Sequence, residues 1–287
     1  MAGAAILEIF VTKADGTKQV FSREKVEKTC LRMGADSRVA HVIAEKIERR
    51  LYDGISTDQI LRMIFKFMSE YKPSISHLFD LRKGISLMDP KPEFEMFVRI
   101  LLTQNGFEVS PNLILAGKCG EHEADAIAKK NGKTFFVEAK HHISYHTLTG
   151  LDESRIARAI LEDVTEYNLM DKTDLKIDGA IIVTNTRYSE HAKRYGECRN
   201  ILQIGWDIPL ENNLRSMIEK NKLYPLSCLR SLKYENRIKL VNSGVVIMKQ
   251  LFEEEISKLA RRAMIPQETL RDIIEKAKFS MDELWYS

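Results

Sequence analysis

The sequence predicts a multidomain protein with an α+β unit, an α/β unit and an all-α C-terminal unit. Its 287 residues exceed the usual length of a single domain. A hairpin and helical patterns fill the first part, strands and helices alternate in the middle, and only helical patterns follow. The predicted domains are therefore 1–89, 90–232 and 233–287.

The first unit is predicted to be a β-hairpin followed by four helices. Asp15-Gly16 separates two strand-like runs within residues 6–21, and this dipeptide favours a two-residue hairpin turn. Ser22 and Ser56 are typical N-cap residues of the first and third helices. The second helix is expected at 36–51 and the fourth at about 75–87.

The second unit is predicted to open with a helix at 93–104, followed by two strand-like segments, FEVSP (107–111) and NLILAG (112–117), and a hairpin around Asn131-Gly132. A long helix is expected at 151–167. Alternating elements then favour an α/β layered domain: strands at 179–184 and 201–206, and helices at 190–197 and 212–221.

Residues 121–142, EHEADAIAKKNGKTFFVEAKHH, carry the strongest chemical signal. If Asn131-Gly132 forms a two-residue turn, Asp125 lies opposite Glu138, and Glu123 lies opposite Lys140. Side chains alternate along a strand, so these four residues are expected on one face. The other face would carry Ala124, Ala126, Ala128, Val137 and Ala139.

Two carboxylates placed opposite each other repel, and a bound divalent cation would compensate. Carboxylate oxygens suit Mg²⁺ or Mn²⁺. A lysine beside the ion can orient a water molecule and stabilise charge on a phosphate. This set of groups indicates phosphodiester hydrolysis. The alternative interpretation is a solvated hairpin face on which Glu123 and Lys140 form an ordinary ion pair.

Asp125 followed by Glu138-Ala139-Lys140 resembles the PD-(D/E)xK nuclease superfamily. The flanking segments EFEMFVRILLTQNGFEV, AIIVTN and ILQIGWDIP are similar to its Mrr-like, type IV restriction branch, over about residues 92–232. The resemblance implies a restriction-endonuclease-like core with a mixed central sheet and Mg²⁺- or Mn²⁺-dependent cleavage of DNA. Many Mrr-like proteins carry Gln at the position of Glu138, and a carboxylate there strengthens the ligand. The implied catalytic residues are Glu95, Asp125, Glu138 and Lys140, and the implied metal-binding positions are Asp125, Glu138 and Ala139.

Residues 9–87 resemble the ATP-cone, a nucleotide-sensing domain, through IFVTKADGTKQVFSREK, LYDGIST and LRKG. Lysines suit phosphates, and a threonine at a helix start lies beside free N–H groups. Ala14 stands where a second basic residue is usual, so phosphate binding would be weaker or its preference altered. The chain has no phosphate loop, so regulation rather than hydrolysis is expected. The resemblance implies contact with ATP or dATP by Val11, Lys13, Gln19, Lys25, Thr57 and Lys83.

The C-terminal segments LVNSGVVIMKQL and ISKLARRAMIPQETLRDIIEKA resemble the helix-hairpin-helix-like domain of recombinases. The resemblance implies contact with the DNA backbone. However, Met264-Ile265-Pro266 replaces the glycine-bearing hairpin, and proline has no N–H to donate. A packing or dimerisation module is the alternative. The basic residues that would contact DNA are Arg261, Arg262, Lys276 and Lys278.

The cysteine content and the apolar runs of the sequence argue against a zinc protein and a membrane protein. The four cysteines form no C-x-x-C pair, which argues against zinc, and their scatter favours a reducing, cytoplasmic location. No run approaches the ~20 apolar residues of a membrane span. Two rival functions remain open: a non-catalytic sensor that binds nucleotide and DNA, and a nuclease for branched DNA. A homodimer would favour the latter, because two strands must be cut.

Overall fold

The computed structural model describes residues 9–71, 80–170 and 175–285, whose contacts divide the chain into two compact units. The first unit comprises Met1–Phe79, Leu229–Ser231 and Glu268–Ser287, and the second comprises Asp80–Cys228 and Leu232–Gln267. The domain limits 1–89, 90–232 and 233–287 stay a prediction from the sequence.

Residues 9–71 of the first unit form a small sheet and three helices. Strands β1 (Phe10–Thr12) and β2 (Lys18–Val20) form the predicted antiparallel hairpin, and β3 (Ile55–Ser56) pairs in parallel with β1. Because β3 has only two residues, it is too short to show a periodic pattern. The helices are α1 (Arg23–Arg32), α2 (Ser37–Glu48) and α3 (Thr57–Tyr71).

Ser22 caps α1 and Asp36 caps α2, each accepting a hydrogen bond from a first-turn N–H group. Apolar residues from the helices, including Ile47 and Met68, close over Val11 of β1 to form one core. Part of the predicted fourth helix, up to residue 79, lies outside the described residues. Among the described residues of that stretch, α4 (Leu81–Ser86) begins after its N-cap Asp80 and belongs to the second unit.

A five-stranded mixed sheet forms the centre of the second unit, as the sequence predicts. Its order is β10 (Leu202–Ile204), β8 (Gly179–Thr184), β6 (Lys133–Lys140), β5 (Glu121–Lys130) and β4 (Glu108–Ala116). The β4, β5 and β6 strands pair antiparallel, whereas β8 and β10 run parallel to β6.

A separate parallel pair, β7 (Leu148–Thr149) and β9 (Arg187–Tyr188), was not predicted, again because each strand has two residues. The sequence suggests two strand pieces around Pro111, but the structure has one continuous strand. Since β4 is an edge strand, the missing N–H of Pro111 need not break the ladder.

Helices cover both faces of the central sheet. One apolar cluster joins α5 (Glu95–Gln104) and α8 (Leu214–Asn221) to β5, β6 and β8. The other joins α6 (Leu151–Asn168) and α7 (Glu190–Cys198) to the opposite face. The two faces of the sheet that carry these clusters are called the α5 side and the α6 side.

The last part of the chain forms α9 (Tyr234–Asn242), α10 (Ile256–Ala263) and α11 (Gln267–Trp285). Helices α8, α9 and α10 end in the same way, with Lys222, Gly244 and Met264 in the left-handed region at φ 55°, 90° and 52°. The N–H after each of these residues bonds a carbonyl one turn back, which satisfies the helix end. Val246 and Ile247 join the α5 side of the core.

None of the described helices combines the length and the apolar character needed to cross a membrane.

A residue of helix α9, Arg237, contacts the segment 87–93 that leads into α5. Arg237 Nη2 donates to the carbonyl of Leu87 at 2.7 Å, and its Nε lies 3.5 Å from Oε1 of Glu93. Oε2 of Glu93 accepts from the N–H of Asp89 at 2.8 Å. Glu93 is fully buried, and this burial raises its pKa to about 7.

Glu93 is expected to make the protein less stable as the pH rises. A carboxyl whose folded pKa exceeds its unfolded pKa stabilises fully below the unfolded value, and this stabilisation is lost as the pH climbs toward the folded pKa of about 7. At 1.36 kcal/mol per pKa unit, the loss is on the order of 3 kcal/mol. Urea unfolding of wild type and Glu93→Gln at about pH 5 and about pH 8 measures it.

The Glu93→Gln variant should lack this decline, while Glu121→Gln, an exposed control, should keep it. Equal declines in wild type and Glu93→Gln would show that Arg237 keeps Glu93 ionised throughout.

Candidate active site

Asp125 lies on β5 where the pairing with both neighbouring strands is interrupted. The ladder to β6 ends at Ala126 opposite Val137, and the ladder to β4 omits Asp125. The residues on either side of Asp125 face different ways, with Ala126 on the α5 side and Ala124 on the α6 side. The predicted placement of Ala124 is therefore wrong, because an irregular position re-aims the side chains around it.

Hydrogen bonds from two elements hold Asp125. The N–H of Ala139 on β6 donates to Oδ2 at 2.8 Å, and Arg99 Nη1 on α5 donates to the Asp125 carbonyl at 3.0 Å. Asp125 is only 8% exposed. The carboxylate is thus directed toward the Glu138–Lys140 end of β6.

Glu138 and Lys140 extend from β6, which is held in place by its parallel pairing with β8. Lys140 Nζ lies 3.1 Å from Oε2 of Glu138 and 3.4 Å from Oε2 of Glu153, in the first turn of α6. The lysine side chain is one-third exposed, so it can reach a bound molecule while contacting both carboxylates.

Burial shifts the protonation of this group. It raises the pKa of Glu138, and the nearby charge of Asp125 raises it further against the opposing effect of Lys140. Burial alone would lower the pKa of Lys140, but the carboxylates of Glu138 and Glu153 raise it. Lys140 therefore stays protonated, and its single positive charge is shared between Glu138 and Glu153.

Glu95 lies at the start of α5 and is 9% exposed. Its carboxylate is 3.0 Å from Lys91 Nζ and close enough to Asp125 for the two charges to interact. Burial is the main cause that raises the pKa of Glu95, and Asp125 adds to it. The structure thus brings Glu95, Asp125, Glu138 and Lys140 to one end of the sheet.

Neither predicted cross-strand pair, Asp125–Glu138 or Glu123–Lys140, occurs in the described β5–β6 ladder, which ends at Ala126 opposite Val137. Glu123 instead lies 3.7 Å from Lys91. The strand pairing is interrupted at Asp125, so the register that the Asn131-Gly132 turn sets between β5 and β6 does not extend to residues 123 and 140. The ion pair of the alternative interpretation is therefore replaced by contacts of Lys140 with Glu138 and Glu153.

Sequence reasoning missed Lys91, Arg99 and Glu153. The spacing of four residues between Lys91 and Glu95 matches that of a helical ion pair, but Lys91 has an extended backbone (φ −130°, ψ 136°) and reaches Glu95 from outside the helix. Glu153 lies in the first turn of the helix after the hairpin. Neither signal tells a site residue from a surface charge without the tertiary structure.

The histidines that follow β6 contact other residues. His141 Nε2 lies 3.0 Å from the carbonyl of Ile85, and its ring is 5.0 Å from that of Phe94. His142 Nε2 lies 3.2 Å from the hydroxyl of Thr149. Burial lowers the pKa of both histidines, which favours neutral imidazoles near pH 7.

The residues predicted to contact nucleotide fall mainly on the first unit. Val11 pairs with Gln19 across the hairpin, and Lys25 Nζ donates to Oε1 of Gln19 at 3.4 Å. The Val11 side chain is buried in the core, while Lys13 is exposed beside the turn. Thr57 begins α3. Lys83 lies on α4 in the second unit.

The predicted basic residues of the tail lie on two helices. Arg261 and Arg262 end α10, where Arg262 pairs with Glu254. Lys276 and Lys278 lie on α11, where Lys276 pairs with Asp272 at 2.6 Å. Met264 forms the turn between the helices and is 78% exposed. An exposed apolar turn without a glycine differs from a phosphate-binding hairpin.

Comparison with known proteins identifies both domains. The family model described as a restriction endonuclease, of the Mrr catalytic type, matches residues 85–204, and the ATP cone domain model matches residues 9–73. A solved crystal structure of a protein of unknown function is similar, with a TM-score of 0.58 and 28% identity. The match between the two covers 72% of this chain and 100% of the solved chain.

Two uncharacterized proteins of Archaeoglobus fulgidus are also similar. One is 32% identical over 178 residues, which is 62% of this chain and 96% of the relative. The other is 46% identical over 39 residues, which is 14% of this chain and 83% of the relative. The chain therefore contains an ATP cone domain followed by an Mrr-type restriction endonuclease domain.

Proposed function

We propose that the chain is a divalent-metal-dependent deoxyribonuclease that hydrolyses phosphodiester bonds, and that ATP or dATP bound to the cone regulates it. One observation carries the proposal: the interrupted strand at Asp125 turns its carboxylate toward Ala139, between Glu138 and Lys140. The buried carboxylate of Asp125, the partly buried carboxylate of Glu138 and the ammonium of Lys140 are the groups that this hydrolysis needs.

The donors fit Mg²⁺ or Mn²⁺. Within the described residues, no group of three or more His, Cys, Asp or Glu side chains is arranged to hold a metal. Mg²⁺ does not require such a group, since it commonly binds one or two carboxylates and keeps several waters. Asp125, Glu138 and the main-chain carbonyl of Ala139 would hold the ion.

Bound there, the cation would supply a water of lowered pKa and neutralise charge on the phosphate. The protein groups do the rest. Asp125 is oriented by the Ala139 N–H, so its carboxylate needs no rearrangement. Lys140 is held by Glu138 and Glu153, and its ammonium positions the attacking water and stabilises negative charge on the phosphate. Glu95 is close enough to Asp125 for their charges to interact, and it adds negative charge that favours binding of a cation.

Cleavage of linear, methylated and four-way-junction DNA with Mg²⁺ or Mn²⁺, beside EDTA controls, tests the proposal. We expect cleavage that requires the metal, and the substrate panel identifies the preferred DNA. Preference for the junction by a dimeric protein would favour the resolving nuclease. Intact DNA in every lane, despite measured DNA binding, would favour a non-catalytic regulator and contradict the proposal.

The same panel with ATP or dATP tests regulation. We expect nucleotide to change the cleavage rate of wild type, and Lys13→Met to reduce this effect through weaker nucleotide binding. Loss of one charged hydrogen bond weakens binding by roughly tenfold or more. Lys28→Met removes an exposed lysine paired with Glu24 and is the control. An unchanged response in Lys13→Met would remove Lys13 from the nucleotide site.

A further inference from the structure

The ammonium group of Lys91 lies among three carboxylates beside the candidate active site. Its Nζ is 3.0 Å from Oε1 of Glu95, 3.6 Å from Oδ1 of Asp125 and 3.7 Å from Oε1 of Glu123. Three negative groups around one ammonium leave an excess of negative charge. The three carboxylates could therefore neutralise more positive charge than the single charge of Lys91.

Glu95 has acceptor capacity that Lys91 does not satisfy. Its Oε1 is buried and makes no hydrogen bond of good geometry, although Lys91 Nζ is at ion-pair distance. A buried carboxylate oxygen without a hydrogen bond is costly. The oxygen is directed at the position that the ammonium fills, so that position suits a cation of stronger charge.

Asp125 separates this position from the proposed metal position. Its Oδ1 faces Lys91, whereas its Oδ2 faces Ala139 on the side of Glu138. One carboxylate therefore has a cation position on each side. Two-metal nucleases place their ions at two such neighbouring positions.

Helix α9 holds the segment that carries Lys91. The hydroxyl of Tyr234 donates to Oδ2 of Asp89 at 2.9 Å, before Lys91, and Arg237 lies beside Glu93, after it. Arg237 also stacks over the Tyr234 ring, 5.2 Å from its centroid. The backbone on both sides of Lys91 is therefore held, which keeps its side chain within reach of the carboxylates.

We propose that Lys91 is a further residue of the active site, and that its ammonium occupies a second cation position formed by Glu95, Glu123 and Asp125. The inference rests on the proposed metal-dependent function. The lysine restricts the site to one divalent ion and supplies a permanent positive charge beside it. A compact ammonium with three donors suits three carboxylates without the close octahedral geometry that Mg²⁺ demands.

The test counts the Mn²⁺ ions bound per chain, by titration calorimetry of the full-length protein without DNA. Wild type should bind one ion. Lys91→Gln keeps most of the side chain without its charge, so the three carboxylates, which are not arranged around a metal while the ammonium lies among them, should close on a second ion. Lys118→Gln is the matched control, because it removes an exposed lysine 2.8 Å from Glu166 and should still bind one. The double variant Lys91→Gln with Glu123→Gln should return to one ion, since the second position loses a ligand.

One ion in both wild type and Lys91→Gln would overturn this proposal alone. No Mn²⁺ bound by any variant would overturn both this proposal and the metal-dependent function. Circular dichroism of each variant checks the fold, and Lys91 is largely exposed, so its replacement should leave the fold intact.

Discussion

Replacing Asp125 by Asn is expected to reduce metal-dependent DNA cleavage by roughly three orders of magnitude or more. A metal ion at a phosphate contributes several kcal/mol of transition-state stabilisation, and each 1.36 kcal/mol corresponds to a tenfold change in rate. Asn keeps an oxygen that can accept from the Ala139 N–H, 2.8 Å from Oδ2 in the wild type, but it removes the charge that the cation needs. Single-turnover cleavage with Mn²⁺ measures the effect.

Asp125→Ala should abolish cleavage as well, but it also leaves the Ala139 N–H without its partner. A buried donor without a partner costs about 1–3 kcal/mol of stability, so Asn is the cleaner variant. Glu121→Gln, an exposed carboxylate on the same strand, is the control and should cleave like wild type. Undiminished cleavage by Asp125→Asn would remove Asp125 from the site.

Replacing Lys140 by Met is expected to reduce cleavage by about a hundredfold to a thousandfold while Mn²⁺ binding is retained. Such a loss is typical when one group that stabilises developing charge is removed. Met preserves much of the length of the side chain, so the effect reports the ammonium that lies 3.1 Å from Glu138 and 3.4 Å from Glu153. Cleavage kinetics and Mn²⁺ titration on the same preparation separate catalysis from metal binding.

Lys133→Met is the matched control, because Lys133 begins the same strand and is exposed. If Lys140→Met loses Mn²⁺ binding and cleavage together, Lys140 maintains the metal site rather than positioning the water. If cleavage is unchanged, Lys140 is only a counter-charge for Glu138.

Local patterns in the sequence predict most of the fold of the described residues. The Asp15-Gly16 and Asn131-Gly132 turns lie where expected, because each dipeptide determines its hairpin without help from distant residues. The layered arrangement of strands and helices follows from the alternation of patterns, whereas the mixed sheet was implied by the resemblance to restriction endonucleases. The two-residue strands β3, β7 and β9 escape prediction, since they form only through pairing with partners far along the chain.

The sequence alone indicated the two domain types through their motifs. It also placed Asp125 near Glu138, Ala139 and Lys140, because a short turn brings β5 and β6 side by side, although their ladder ends at Ala126. Only the tertiary structure decided that pairing breaks at Asp125, that Glu123 contacts Lys91 and that Glu153 contacts Lys140. These contacts join segments from different elements, and their geometry depends on how helices α5, α6 and α9 pack. Such packing arises from many weak contacts together, which no local pattern of residues encodes.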